Sequence, residues 1–161
     1  MSTIKPHLLT KEGLEKLTKE LEYLSTERRE QVAERLQRAF EDGQDDDFIE
    51  SAELEAARNE QSFLEGRIKE LEDILKNYQL IAEDRTPHDS VRIGDTVIVS
   101  EEGFDENETY HLVGAAEADP TEGRISNESP LGKALMGAKV GEVVRVNAPN
   151  GMIEFKVVKI D

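Results

Sequence analysis

The sequence contains no cysteine and no tryptophan. Without cysteine there is no disulfide framework and no thiolate zinc site. Aromatic residues make up only 5% of the chain, too few to assemble an aromatic-lined pocket easily. Three histidines, His7, His88 and His111, are scattered and form no metal-binding cluster in the sequence. No stretch is apolar and long enough to span a membrane, and the N-terminus has no apolar run of signal-peptide length. A cytoplasmic protein is expected, with no membrane partner. Positive charge is also scarce. Lys and Arg number 20 against 36 Asp and Glu, a formal net charge of −16 over 161 residues. A bare phosphate backbone repels such a chain, and a nucleic-acid-binding surface needs a basic stripe. No basic stripe is visible, so work near nucleic acid requires another molecule to bring the chain there.

The chain has two heptad-like segments. Thr10 is placed to N-cap the first helix, with Glu12 in its first turn. Leu14, Leu17, Leu21 and Leu24 then recur at spacings of three and four, a coiled-coil seam. Arg28 falls on the next seam position. Val32 and Leu36 resume the stripe if four residues are added, as in a stutter. Asp42-Gly43 breaks the helix. A second seam runs through Leu54, Ala57, Gln61, Leu64, Ile68, Leu71, Leu75 and Tyr78. Joined by a short turn, the two form an antiparallel αα-hairpin with arms of about 45 Å at 1.5 Å per residue. Its tip is the run Glu41–Glu55, which holds eight carboxylates and no Lys or Arg. A solvated acidic turn is the plain explanation of such a run; a set of hard oxygen ligands on the end of a rod is the functional one.

The pattern changes near Asp84-Arg85-Thr86-Pro87-His88-Asp89, read as a linker between residues 1–84 and 85–161. Strands are expected at Thr96–Val99, Thr109–Val113, Glu142–Val146 and Ile153–Val158. Asn150-Gly151 marks a two-residue hairpin turn. Ser129 and Pro130 sit as N-cap and first residue of one short helix. The expected fold class is therefore α+β: a coiled-coil hairpin, then a small antiparallel sheet domain with one helix. His111 reads as an ordinary sheet residue and Glu101–Glu108 as a solvated connection. No catalytic triad, phosphate-cradling loop or nucleophilic cysteine is present. Asp45-x-Asp47-x-Ile49 misses a calcium-loop ligand and has Glu50 where that loop needs glycine.

Four stretches in order resemble the bacterial Gre family of transcript cleavage factors: Leu9–Leu17; Glu50–Leu54 with Ala56–Gln61 and Glu65–Ile68; Ile125–Gly137; and Gly151–Val158. The resemblance covers nearly the whole chain. It implies an FKBP-like C-terminal domain docked on the rim of the secondary channel of bacterial RNA polymerase, with the hairpin inside the channel. It implies stimulation of the polymerase's own cleavage of backtracked RNA, so the protein would be no enzyme by itself. Asp47 and Glu50 match the catalytic tip pair that helps hold Mg²⁺ jointly with the polymerase, and Asp45 and Asp46 are further candidate ligands. The chemistry agrees, since Mg²⁺ takes hard oxygens and commonly only one or two protein carboxylates. Arg58 matches a residue facing the nascent RNA 3′ end; a bland intrahelical ion pair with Glu55 or Glu60 is its other reading. Glu128, Ser129 and Pro130 match the polymerase-docking segment. A monomer is expected, and a DNA-binding assignment rests on the resemblance alone.

The sequence departs from the family at the tip. Gln44-Asp45-Asp46 are inserted after Gly43, Ser51 and Leu54 replace the usual Asn and Tyr, and Phe40 replaces an arginine. The alternative is accordingly a Gre-like inhibitor of the polymerase that acts through its Asp-rich tip. A coiled-coil adaptor with a peptide-binding or proline-isomerising domain is a third class.

Overall fold

The computed structural model describes residues 4–42, 49–83 and 86–161, with the side chains of residues 49–51 outside the description. Packing divides the chain into two compact units. One is Leu14–Asn77; the other joins Met1–Gly13 to Tyr78–Asp161. The start of the chain thus goes with the sheet, whereas a division at residues 84 and 85 assigns it to the hairpin.

The first unit is helical. Strand β1 (His7–Leu9) precedes helix α1 (Lys11–Tyr23), which runs into a π-helical turn at Leu24–Arg28 and then into α2 (Arg29–Asp42). The π turn stands where the heptad stutters. There the Arg29 N–H reaches the Leu24 carbonyl, five residues back. The hydroxyls of Ser25 and Thr26 donate to the carbonyls of Leu21 and Glu22, at 2.7 and 2.6 Å. Such bonds compete with the regular ladder and ease the widening of a turn. One wide turn takes up one extra residue, so the stripe resumes at Val32, one place beyond the Gln31 that a regular alternation would reach, and continues through Leu36 and Ala39. Val32 packs with Leu64 and Ile68, and Leu21 and Leu24 lie against that cluster.

Helix α3 (Ile49–Lys76) forms the other arm and buries Ala57, Leu64, Ile68, Leu71 and Ile74. Three expected seam positions differ. Gln61 is exposed, because the seam passes through Glu60 instead. Leu75 is half-buried, and its neighbour Ile74 takes the inner place. Tyr78 has left the helix for strand β2 (Tyr78–Leu80).

In the second unit, β1 and β2 pair in parallel, with His7 opposite Tyr78 and Leu9 opposite Leu80. The rest is built on β3 (Thr96–Glu101), β4 (Asn107–Val113), β5 (Arg124–Ser126), helix α4 (Pro130–Leu135), β6 (Val143–Ala148) and β7 (Gly151–Ile160). The five strands lie in the order β5-β4-β3-β7-β6. Pairing is antiparallel except at one edge, where β5 runs parallel to β4. The sheet is therefore mixed, where alternation alone suggested an antiparallel one. Along β3 the alternate residues Val97 and Val99 are fully buried, and along β6 Val144 and Val146 point the same way. Leu135 of α4 closes this core. The turn between β6 and β7 holds Pro149 and Asn150, one residue earlier than expected; the positive φ (+127°) falls on Gly151, already paired with Ala148.

Candidate functional site

The acidic connection runs from the end of α2 at Asp42 to the start of α3 at Ile49. Asp45, Asp46 and Asp47 lie outside the described residues. Glu50 belongs to the backbone of α3, in its first turn. Among the described residues, no three His, Asp or Glu stand together in a metal-holding arrangement. The donor set of the tip is all carboxylate, the type that suits Mg²⁺. Arg58 is exposed on α3 and, among the described residues, is in no ion pair. The neighbouring Glu60 is already bonded elsewhere, to Arg28 and Arg35.

That Glu60 pairing is the main feature of the arms that sequence reasoning missed. Arg28 falls on a seam position and turns inward from the π turn, where it meets Glu60 of the opposite arm. Arg35 binds the other carboxylate oxygen and also lies 3.6 Å from Glu53. The hydrogen bond from Arg35, more than any other influence, holds Glu60 below the usual carboxylate range. Two further cross-arm pairs flank this layer. Arg29 makes two bonds of 2.9 Å to Glu65, and Arg67 bonds Glu20 at 2.8 and 3.1 Å. The signal was present, since an arginine on an apolar seam needs a partner carboxylate across it.

The segment Glu128, Ser129 and Pro130, expected from the resemblance to dock, leads into α4. Ser129 Oγ accepts from the Gly132 N–H at 3.0 Å and donates to the Ser126 carbonyl at 2.6 Å. Pro130 occupies the first turn, where its missing N–H costs nothing. The Glu128 side chain is exposed. These three residues are contiguous on one surface turn, and only Ser129 has an evident structural duty.

Two polar sites in the sheet unit had no sequence signal. Glu117, its side chain 3% exposed, accepts from the Thr10 N–H, the Thr10 hydroxyl and Arg124. Thr10 in turn caps α1 by accepting from the Gly13 N–H at 3.0 Å. His88 Nε2 stands 2.6 Å from Oδ2 of the buried Asp95, and Nδ1 stands 3.0 Å from the Thr86 carbonyl. The Thr86 bond first, and then Asp95, raise the His88 pKa. His111 is exposed and hydrogen-bonds Thr96 across the β3–β4 pair.

A helical hairpin with an acidic connection, continued by a small mixed-sheet unit, defines a two-part protein with no catalytic constellation of its own among the described residues. Residues 7–80 match the family described as "Transcription elongation factor, N-terminal", and residues 86–161 match "Transcription elongation factor, GreA/GreB, C-term". The chain belongs to the GreA/GreB family of transcription elongation factors. The transcription elongation factor GreA of Acetivibrio thermocellus is 48% identical over 99% of this chain and 99% of its own. That of Thermoanaerobacter pseudethanolicus is 50% identical over 97% of this chain and 98% of its own. The crystal structure of GreA factor homolog 1 of Thermus thermophilus is 35% identical, covers 98% of this chain and 99% of that one, and superposes with a TM-score of 0.45. No helix among the described residues is long and apolar enough to cross a membrane.

Proposed function

We propose that the chain acts in the cytoplasm, as a monomer, on bacterial RNA polymerase engaged with DNA. Its hairpin enters the secondary channel, and its tip acids help the polymerase cut backtracked RNA. What carries the reading is the run of eight carboxylates between Glu41 and Glu55, in a chain related to GreA factors over nearly its whole length. In this reading the polymerase would supply most of the chemistry.

Asp47 and Glu50 would hold Mg²⁺ jointly with the polymerase, with Asp45 and Asp46 as further candidate ligands. When bound, Mg²⁺ supplies Lewis-acid stabilisation of the attacking and leaving oxygens of an in-line displacement. The chain's own carboxylates would accept a hydrogen bond from the attacking water and orient it. Arg58 would contact a phosphate of the extruded RNA 3′ end, which positions RNA without reading its sequence. Glu128, Ser129 and Pro130 would dock on the channel rim.

The three-aspartate run Asp45–Asp47 favours a second reading, in which the tip blocks the channel and inhibits the polymerase. RNA extension and RNA cleavage measured side by side separate the two: a cleavage factor speeds transcript cutting, and an inhibitor slows extension without it.

A further inference from the structure

The apolar seam near the tip is thin. Toward Asp42 it consists of Val32, Leu36 and Ala39 on one arm and Leu54 and Ala57 on the other. Small side chains offer few contacts, and a heptad repeat meets a similar partner surface one repeat along. Apolar packing alone therefore leaves the relative register of the two arms weakly specified there, and charge placement is what sets it in coiled helices.

The charges across the arms change sign along their length. Close to the π turn and beyond it, the cations are on the first arm: Arg28 and Arg35 face Glu60, Arg35 faces Glu53, and Arg29 faces Glu65. On the other side of the π turn the polarity reverses, and Glu20 on the first arm faces Arg67 on the second. The reversal makes a slip unfavourable in both directions. Sliding the second arm by one heptad one way sets Arg67 against Arg28. Sliding it the other way sets Glu60 against Glu20 and Arg58 against Arg29. Each slip brings like charges together and keeps only part of the native attraction, Arg29 with Glu72 in the first direction and Arg28 with Glu53 in the second.

We infer that Arg28, Arg35 and Glu60 are positioning residues that fix the register of the hairpin arms, and so fix where the tip carboxylates stand. A one-heptad slip displaces one arm along the other by about 10 Å. The positioning role rests on the cleavage reading above; the register itself does not.

The chain lacks cysteine, so two exposed sites, Glu34→Cys and Ala56→Cys, can carry spin labels on opposite arms without competing thiols. The expected result is one narrow distance population in the parent protein. Glu60→Arg should broaden or split it. The charge-swapped combination Arg28→Glu, Arg35→Glu, Glu60→Arg, with Glu53→Gln to remove the carboxylate that also faces position 35, should restore a single population. Glu60→Gln, which loses charge without adding repulsion, should fall between. An unchanged distribution in Glu60→Arg, at native helix content by circular dichroism, overturns the inference.

With backtracked polymerase, Glu60→Arg should keep its binding affinity and lose about 10-fold in maximal cleavage rate, as expected of misplaced catalytic groups. The charge swap should recover that rate. If Glu60→Arg cleaves normally while Asp47→Ala/Glu50→Ala does not, the positioning role is overturned. If the parent protein stimulates no cleavage, the cleavage reading fails, and the distance measurement still decides the register.

Discussion

Gly13 stands so close to Glu117 that a Cβ at position 13 would lie 2.0 Å from Oε1 of Glu117. The carboxylate cannot retreat freely, because Thr10 and Arg124 hold it and its side chain is almost fully buried. Gly13→Ala should therefore destabilise the protein by about 1–3 kcal/mol through overpacking, although alanine is the better helix former. Gly66, in the middle of α3, has nothing within 4 Å of its would-be Cβ beyond its own neighbours and the backbone of its helix. Gly66→Ala should stabilise by about 0.5–1 kcal/mol on propensity alone. Denaturant midpoints of the two variants should move in opposite directions. A shift of the same sign in both would show that the Gly13–Glu117 contact is not the constraint.

His88 should titrate above its ordinary value of 6.5, because its ring bonds the Thr86 carbonyl and the Asp95 carboxylate. A raised pKa in the folded state favours folding below the unfolded value and loses that contribution as pH climbs through the folded value. The share of stability due to this pair should thus decline as pH rises from below 6.5 past the raised midpoint. NMR titration of the His88 ring should give the midpoint, and Asp95→Asn should lower it. A His88 midpoint at or below 6.5 would contradict the geometry.

At the start of α4, variants can separate folding from the proposed docking. Ser129→Ala removes an N-cap that bonds both Gly132 and Ser126, and should cost about 1 kcal/mol. The exposed side chain of Glu128 makes no contact that folding would miss among the described residues. Glu128→Ala should leave the melting temperature within about a degree, an exposed change of this kind being worth under about 0.5 kcal/mol. The same variant should weaken polymerase binding measured by fluorescence anisotropy. Unchanged binding would remove Glu128 from the proposed docking surface.

Local pattern made much of this fold readable. Thr10 and Ser129 cap the helices they were expected to cap, and the break in the heptad after Leu24 becomes the π turn. The valine-rich runs form β3, β6 and β7, because alternation and β-branching are local properties. Pairings between distant short segments escaped. β1, β2 and β5 have three residues each, too few to show a period, and His7 meets Tyr78 only once the chain has folded. The bonds from Thr10 to Glu117 likewise span 107 residues and leave no spacing to read. In the hairpin, Arg28 on an apolar stripe was the clue to Glu60. The seam did not point to Glu60, because the three-and-four alternation puts its neighbour Gln61 on the stripe and leaves Glu60 beside it.

If the tip carboxylates act inside the polymerase, transcript cleavage depends on them. Stalled, backtracked bacterial RNA polymerase would be incubated at low Mg²⁺ with the wild-type chain or with Asp47→Ala/Glu50→Ala. Wild type should speed cleavage, and the double variant should give none above the polymerase's own rate, at equal occupancy of the polymerase. No stimulation by wild type, together with slowed RNA extension, would contradict the cleavage reading and move the protein to the inhibitory one, with Asp45 and Asp46 as its acting residues.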